Sequence, residues 1–223
     1  MIELTDQGPT AGDRYLLLAD ISGYTAFMSS VEQAHGVDFS GGIPAGFAVL
    51  GALLDTVIEG VQPVFAVAKL EGDAVFAVAP AAALDARGQE LLDRLQALYQ
   101  AFHARREERK QAARDHICVA CPVVGSLDLK MVLHRGPVVR QSIGAHTELL
   151  GPAVNVVHRL LKNTIQARLG YRPYLFLTDA AANGLGLAEP GVEHREDYAD
   201  VGPVQGRVVA LGADLPGTAP ALG

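Results

Sequence analysis

Little in this sequence would carry it out of a cell, into a bilayer or onto a nucleic acid. It has two cysteines in 223 residues, too few for a disulfide framework, and a reducing, cytoplasmic setting is expected. Its first residues, MIELTDQGPTAGDR, lack both a basic n-region and an apolar h-region, so no signal peptide is expected. The longest apolar stretch, Ile43 to Leu54, stops at Asp55 and is too short to span a membrane. Positive charge is also short: the formal net charge is −7 and the pI about 5.4. That excludes the basic face on which non-specific nucleic-acid binding rests. It leaves room for a phosphate ligand held through a metal ion, because the ion brings its own positive charge. Several motifs are missing as well. Gly41-Gly42-Ile43-Pro44-Ala45-Gly46 has no following Lys-Ser/Thr and is not a P-loop, and neither H-E-x-x-H nor G-x-S-x-G occurs. No block repeats at solenoid periods, and no lipidation motif is present.

What is present is a positive mean hydropathy and enough chain to bury the core of one domain. Residues 1–13 are expected to be a loose lead-in, 14–212 the folded domain and 213–223 a frayed Gly/Pro/Ala tail. Tyr15 to Ala19 reads as a first strand, Thr25 to His35 as a helix and Val37 to Ala45 as a loop. Phe47, Leu50, Leu54, Val57 and Ile58 recur at helical spacing and predict a buried helix over 45–60. Gln62–Lys69 and Ala74–Ala79 read as strands joined tightly through Glu71-Gly72-Asp73. Leu91, Leu95, Leu98 and Phe102 stripe a long helix from Leu84 to about Arg114. Beyond a connector at 115–126, strands are expected at Leu127–Leu133 and Pro137–Ile143, then a helix from Pro152 to about Leu161. A strand at Tyr174–Leu177 follows, with Thr178 as the cap of the next helix, and Val201–Leu211 closes the chain. This order predicts an α+β fold with a ferredoxin-like split βαβ core, one sheet carrying one layer of helices.

Within that frame Asp20 leaves the first strand and Asp73 sits at the hairpin turn, so both carboxylates are expected at one end of the sheet. Taken singly, each also has the look of an ordinary turn aspartate. Together, two acidic groups with no local basic partner call for a bound cation or a shifted proton. Lys69 surfaces from an apolar strand four residues before Asp73. Asn155 and Arg159 are one helical turn apart on one face, and an amide beside a guanidinium suits a ribose and a phosphate. Glu148 offers a carboxylate that can accept from an exocyclic amine.

Four segments in order resemble the class III nucleotidyl (adenylate/guanylate) cyclase catalytic domain. Leu18-Ala19-Asp20-Ile21-Ser22-Gly23-Tyr24-Thr25 resembles F-x-D-I-x-G-F-T, and Lys69-Leu70-Glu71-Gly72-Asp73 resembles K-x-x-G-D. His134-Arg135-Gly136-Pro137-Val138 resembles H-x-G-x-V, and Gly151 to Arg159 resembles G-x-x-V-N-x-A-x-R. The His-Arg-Leu-Leu-Lys-Asn run at 158–163 and Tyr198-Ala-Asp-Val-Gly-Pro-Val are similar to an uncharacterised bacterial cyclase-like family. The resemblance implies that Asp20 and Asp73, with the Ile21 carbonyl, bind two Mg²⁺ or Mn²⁺ ions. It implies that Lys69 and Glu148 recognise the base, Asn155 orients the ribose and Arg159 stabilises the transferring phosphoryl group. The implied reaction converts a nucleoside triphosphate, ATP first, to the cyclic monophosphate and pyrophosphate. The implied assembly is a homodimer with shared sites, in which one protomer supplies the metals' ligands and the other the base and transition-state residues. A catalytically silent domain that binds a nucleotide or small ligand as a sensor is the alternative.

This chain departs from the family pattern in three places. Glu148 is not the common residue, His158 replaces a small one, and the segment from Gly144 to Gly151 is shorter than the family's dimerisation arm. Apart from these motifs, His116-x-Cys118-x-x-Cys121 offers three candidate ligands without a second pair, an incomplete zinc pattern.

Overall fold

The structure, a computed structural model, describes residues 9–35, 43–62, 64–114, 121–170 and 173–212. Its elements are β1 (Thr10–Ser22), α1 (Tyr24–His35), α2 (Ala45–Val61), β2 (Ala66–Glu71), β3 (Ala74–Pro80), α3 (Ala81–Leu84) and α4 (Gly88–Arg114). After a 3₁₀ turn at Cys121–Ser126 come β4 (Asp128–Ile143), β5 (His146–Leu150), α5 (Pro152–Leu160), α6 (Ile165–Leu169), β6 (Tyr174–Thr178), α7 (Asp179–Leu185), β7 (Val192–Tyr198) and β8 (Gly202–Ala210). The sheet runs β2-β3-β1-β4-β6-β8-β7, with β5 folded back on β4. Its first four strands are antiparallel neighbours in the ferredoxin-like order, and only β4 and β6 run parallel.

β1 is an interior strand between β3 and β4, and its apolar run is buried from Tyr15 to Ala19 without alternation because both sheet faces are covered. Tyr15, Leu17, Ala19 and Ile21 pack against α1, α2 and α4, where Leu91, Leu95, Leu98 and Phe102 form the expected stripe. Leu16 and Leu18 face the other way, against Ala153, Val157 and Leu160 of α5. Helices therefore lie on both faces, not in the single layer expected: α5 carries its own apolar face, and the opposite layer is already filled.

Four boundaries differ for identifiable reasons. β1 begins at Thr10, so the last part of the expected lead-in is strand, paired from Thr10 with Arg140 onward. The helix expected from Leu84 breaks after α3, where Asp85 accepts from the Tyr15 hydroxyl at 2.7 Å and Ala86 takes φ 62°. β2 starts at Ala66 because Phe65 N still donates to Val61 O at the end of α2. The two strands expected at 127–143 are one. Pro137 lies where β4 has left β6 and not yet met β5, and an open edge tolerates a residue without N–H. The loop expected at 37–45 lies almost wholly outside the described residues, as does Cys118. Among the described residues no helix is long and apolar enough to cross a membrane.

Candidate active site

The end of β1 and the β2–β3 hairpin are stitched together by the backbone. Asp20 lies opposite Ala74, and the next amide, Ile21 N, donates to the Asp73 carbonyl at 3.0 Å. Gly72 takes φ 68° in the hairpin and Gly23 φ 86° where β1 turns into α1. Asp20 and Asp73 thereby share one end of the sheet. Asp73 is half-buried, and its pKa is raised, first by burial and then by the negative charge of Asp20.

A third charge completes this cluster. Lys130 on β4 stands directly across from Asp20, with Nζ 3.0 Å from Oδ2, and it also donates to the Leu161 carbonyl at the end of α5 at 3.3 Å. Lys130 was not among the residues expected from the sequence, and it corrects the expectation that the two carboxylates have no local basic partner: the β1–β4 register brings it to Asp20. The only signal is a lysine between Leu129 and Met131 in an apolar strand, and its partner is set by register. Two carboxylates and the Ile21 carbonyl are oxygen donors of the kind a hard divalent cation prefers. Among the described residues no group of three or more His, Cys, Asp or Glu side chains could hold a metal. Asp20 and Asp73 fall short of such a group by themselves; their oxygens suit Mg²⁺ or Mn²⁺ in kind, and an ion there would need substrate and water to complete its shell.

The other two polar residues come from α5. Gly151 (φ 134°) and Pro152 at the first helical position start this helix. Ala153, Val157 and Leu160 bury one face, which turns Asn155 and Arg159 outward. Arg159 Nε donates to Asp200 Oδ2 at 2.6 Å, and its Nη2 meets the same oxygen. On the opposite flank His158 places Nε2 3.1 Å from Glu71 Oε2 and Nδ1 2.8 Å from the Val154 carbonyl, with its ring edge-on to Phe76. α5 is thus tied on one side to the β2–β3 hairpin and on the other to the β7–β8 turn. Lys69 is exposed on β2 beside a register shift, and Glu148 lies half-buried on β5 opposite Gln141. Among the described residues no ion pair joins Asp20 or Asp73 to Asn155, Arg159, Lys69 or Glu148. Lys130, bonded to both Asp20 and the Leu161 carbonyl, links the acidic pair to the C-terminal end of α5.

Between α5 and β8 lies an open cleft of about 430 Å³ whose lining includes His134, Val156, Thr178, Pro203 and Gln205. His134 Nδ1 is 3.0 Å from Thr178 Oγ1, and burial pushes its pKa down to about 4. Thr178 also caps α7, accepting from Ala181 N at 3.3 Å.

Residues 50–169 match the model of a family described as "Protein of unknown function (DUF2652)". The chain belongs to that family. A relative in Mycobacterium tuberculosis (strain ATCC 25618 / H37Rv), the uncharacterized protein Rv2561/Rv2562, is 34% identical over 179 residues, covering 77% of this chain and 78% of its own. Among solved structures, the guanylyl cyclase Cya2 matches with a TM-score of 0.65 at 14% identity over 96% of this chain and 100% of that one. A bacterial light-regulated adenylyl cyclase matches with a TM-score of 0.64 at 16% identity, over 93% of this chain and 53% of that one. The DUF2652 chain therefore spans about half the length of that cyclase. At these identities the likeness establishes the fold: a class III adenylyl/guanylyl cyclase-like domain.

Proposed function

We propose that this DUF2652 chain is a nucleotidyl cyclase that converts a nucleoside triphosphate, ATP in the first instance, to its cyclic monophosphate and pyrophosphate. The observation that carries the proposal is the meeting of Asp20 and Asp73 at the end of β1, on a cyclase-like fold. Asp20, Asp73 and the Ile21 carbonyl would hold the divalent ions, two by our proposal. When bound, Mg²⁺ or Mn²⁺ supplies charge neutralisation for the phosphates and lowers the cost of forming an oxygen nucleophile. Lys130 would have to release Asp20 for that carboxylate to take a metal ion.

Asn155 would orient the ribose so that its 3′ oxygen lies in line with the α-phosphorus. That oxygen bonds to phosphorus as the bond to the bridging oxygen of the β-phosphate breaks, and pyrophosphate leaves. Arg159 would bear on the charge that gathers on the transferring group, where a guanidinium fork matches two phosphate oxygens. Lys69 and Glu148 would read the base, Glu148 by accepting from an exocyclic amine. The same proposal makes the working unit a homodimer with shared sites, the metal-binding carboxylates from one copy and the base and transition-state residues from the other.

The test is incubation of the purified protein with ATP, GTP, CTP and UTP, each with Mn²⁺, followed by chromatography of products. A cyclic product that Asp20→Ala abolishes is the expected result. No product from any of the four, together with no metal-dependent nucleotide binding, would sink the proposal. A second reading, a silent nucleotide-binding sensor, is favoured by one observation: Lys130 beside Asp20 and Arg159 on α5 are both already paired within the chain. Metal-dependent binding without turnover would decide for it.

A further inference from the structure

Arg159 is spoken for. Its guanidinium contacts Asp200 through both Nε and Nη2, and both meet one carboxylate oxygen, Oδ2. Asp200 lies in the turn between β7 and β8, next to Val201 and the Gly202-Pro203 step, where Gly202 takes φ 74°. Burial alone would raise the Asp200 pKa. Hydrogen bonding with Arg159 and with the backbone N–H groups of Asp200 and Val201 outweighs it and holds the carboxyl below its ordinary value. Asp200 belongs to the turn, and the long arginine side chain reaches it from α5. Both side chains are 48% exposed.

We propose that Asp200 is an internal competitor for Arg159, an anion that occupies the guanidinium until a phosphate displaces it and so sets the affinity of the site for phosphorylated ligands. This rests on the reading of Arg159 as a phosphate ligand given above. Three physical points support it. The carboxylate engages the guanidinium through a single oxygen, whereas a phosphate offers two in the fork that arginine prefers, so exchange favours the phosphate. A half-exposed pair is screened and holds weakly, so the competitor can be displaced without unfolding anything. Asp200 belongs to the β7–β8 turn and not to α5, so removing its charge leaves the helix and its buried face in place. Asp200 is a positioning residue here, acting through Arg159.

The experiment is a calorimetric cycle on the full chain: wild type, Asp200→Asn, Arg159→Ala and the double variant, each titrated with ATP in the presence of Mn²⁺, and separately with tripolyphosphate. Asp200→Asn is expected to tighten ATP about fivefold at low salt, the scale of an exposed ion pair. That gain should shrink as salt is raised and vanish in the Arg159→Ala background. A merely structural role for Asp200 would move thermal stability without this dependence on Arg159. If Arg159→Ala weakens ATP but Asp200→Asn does not tighten it, the competitor is refuted and the phosphate reading of Arg159 stands. If Arg159→Ala changes nothing, or if no variant binds ATP or tripolyphosphate, the reading of Arg159 falls and the competitor with it. Tightening of ATP without tightening of tripolyphosphate would also refute the proposal, because it would place the effect on the nucleoside.

Discussion

His134 offers the sharpest test of the electrostatics around α5. Burial holds its imidazole neutral by pushing the pKa from an ordinary 6.5 down to about 4. Between those values the unfolded chain binds a proton that the folded chain refuses, so stability must fall as pH falls through that window. At about 1.4 kcal/mol for each pH unit between the two values, the full effect is about 3 kcal/mol, reached only below pH 4. By pH 5 about 2 kcal/mol of it is lost. Replacing His134 with glutamine keeps a polar group beside Thr178 Oγ1 and removes the titration. Urea unfolding of both proteins at pH 7.5 and pH 5.0 measures the difference. The wild type should lose about 2 kcal/mol more than His134→Gln over that interval, and the difference cancels other groups such as His103, whose pKa is also lowered. Equal losses in the two proteins would refute the burial of a neutral imidazole at this position.

Glu196→Ala should destabilise the fold by about 2–3 kcal/mol in equilibrium unfolding, because it leaves buried hydrogen-bond donors without an acceptor. Glu196 Oε1 accepts from His194 Nε2 at 2.7 Å, Thr164 N at 2.6 Å and Thr164 Oγ1 at 2.8 Å. A loss under about 1 kcal/mol would mean that these bonds are replaced by water. Gly23→Ala should cost at least about 2 kcal/mol, since the residue holds φ 86° and a Cβ there would lie 2.7 Å from the Ser126 carbonyl oxygen. Thermal melts check this, and a neutral result would show that the turn after Asp20 has slack.

Much of the fold was legible because its signals are local. The apolar run before Asp20, the helical spacing across 45–60 and the Glu71-Gly72-Asp73 link place β1, α2 and the β2–β3 hairpin without reference to anything distant. β7 was not legible, for a physical reason: its two inward positions are His194 and Glu196, polar residues hydrogen-bonded to each other, so the alternation carries no hydrophobic signal. β5 is a short arm with no buried residue, and it too lacks a pattern to read.

For the site, the chain order and the hairpin geometry determine that Asp20 and Asp73 meet, because β3 must lie beside β1 in a split βαβ core. Their residue types and the Asn155–Arg159 spacing are likewise properties of the sequence alone. Which cation stands beside Asp20, and which anion holds Arg159, only the tertiary structure decides. Lys130 and Asp20 are 110 positions apart and Asp200 is 41 beyond Arg159. Pairing across strands depends on register and on where two distant turns come to rest, and neither leaves a mark on the local pattern.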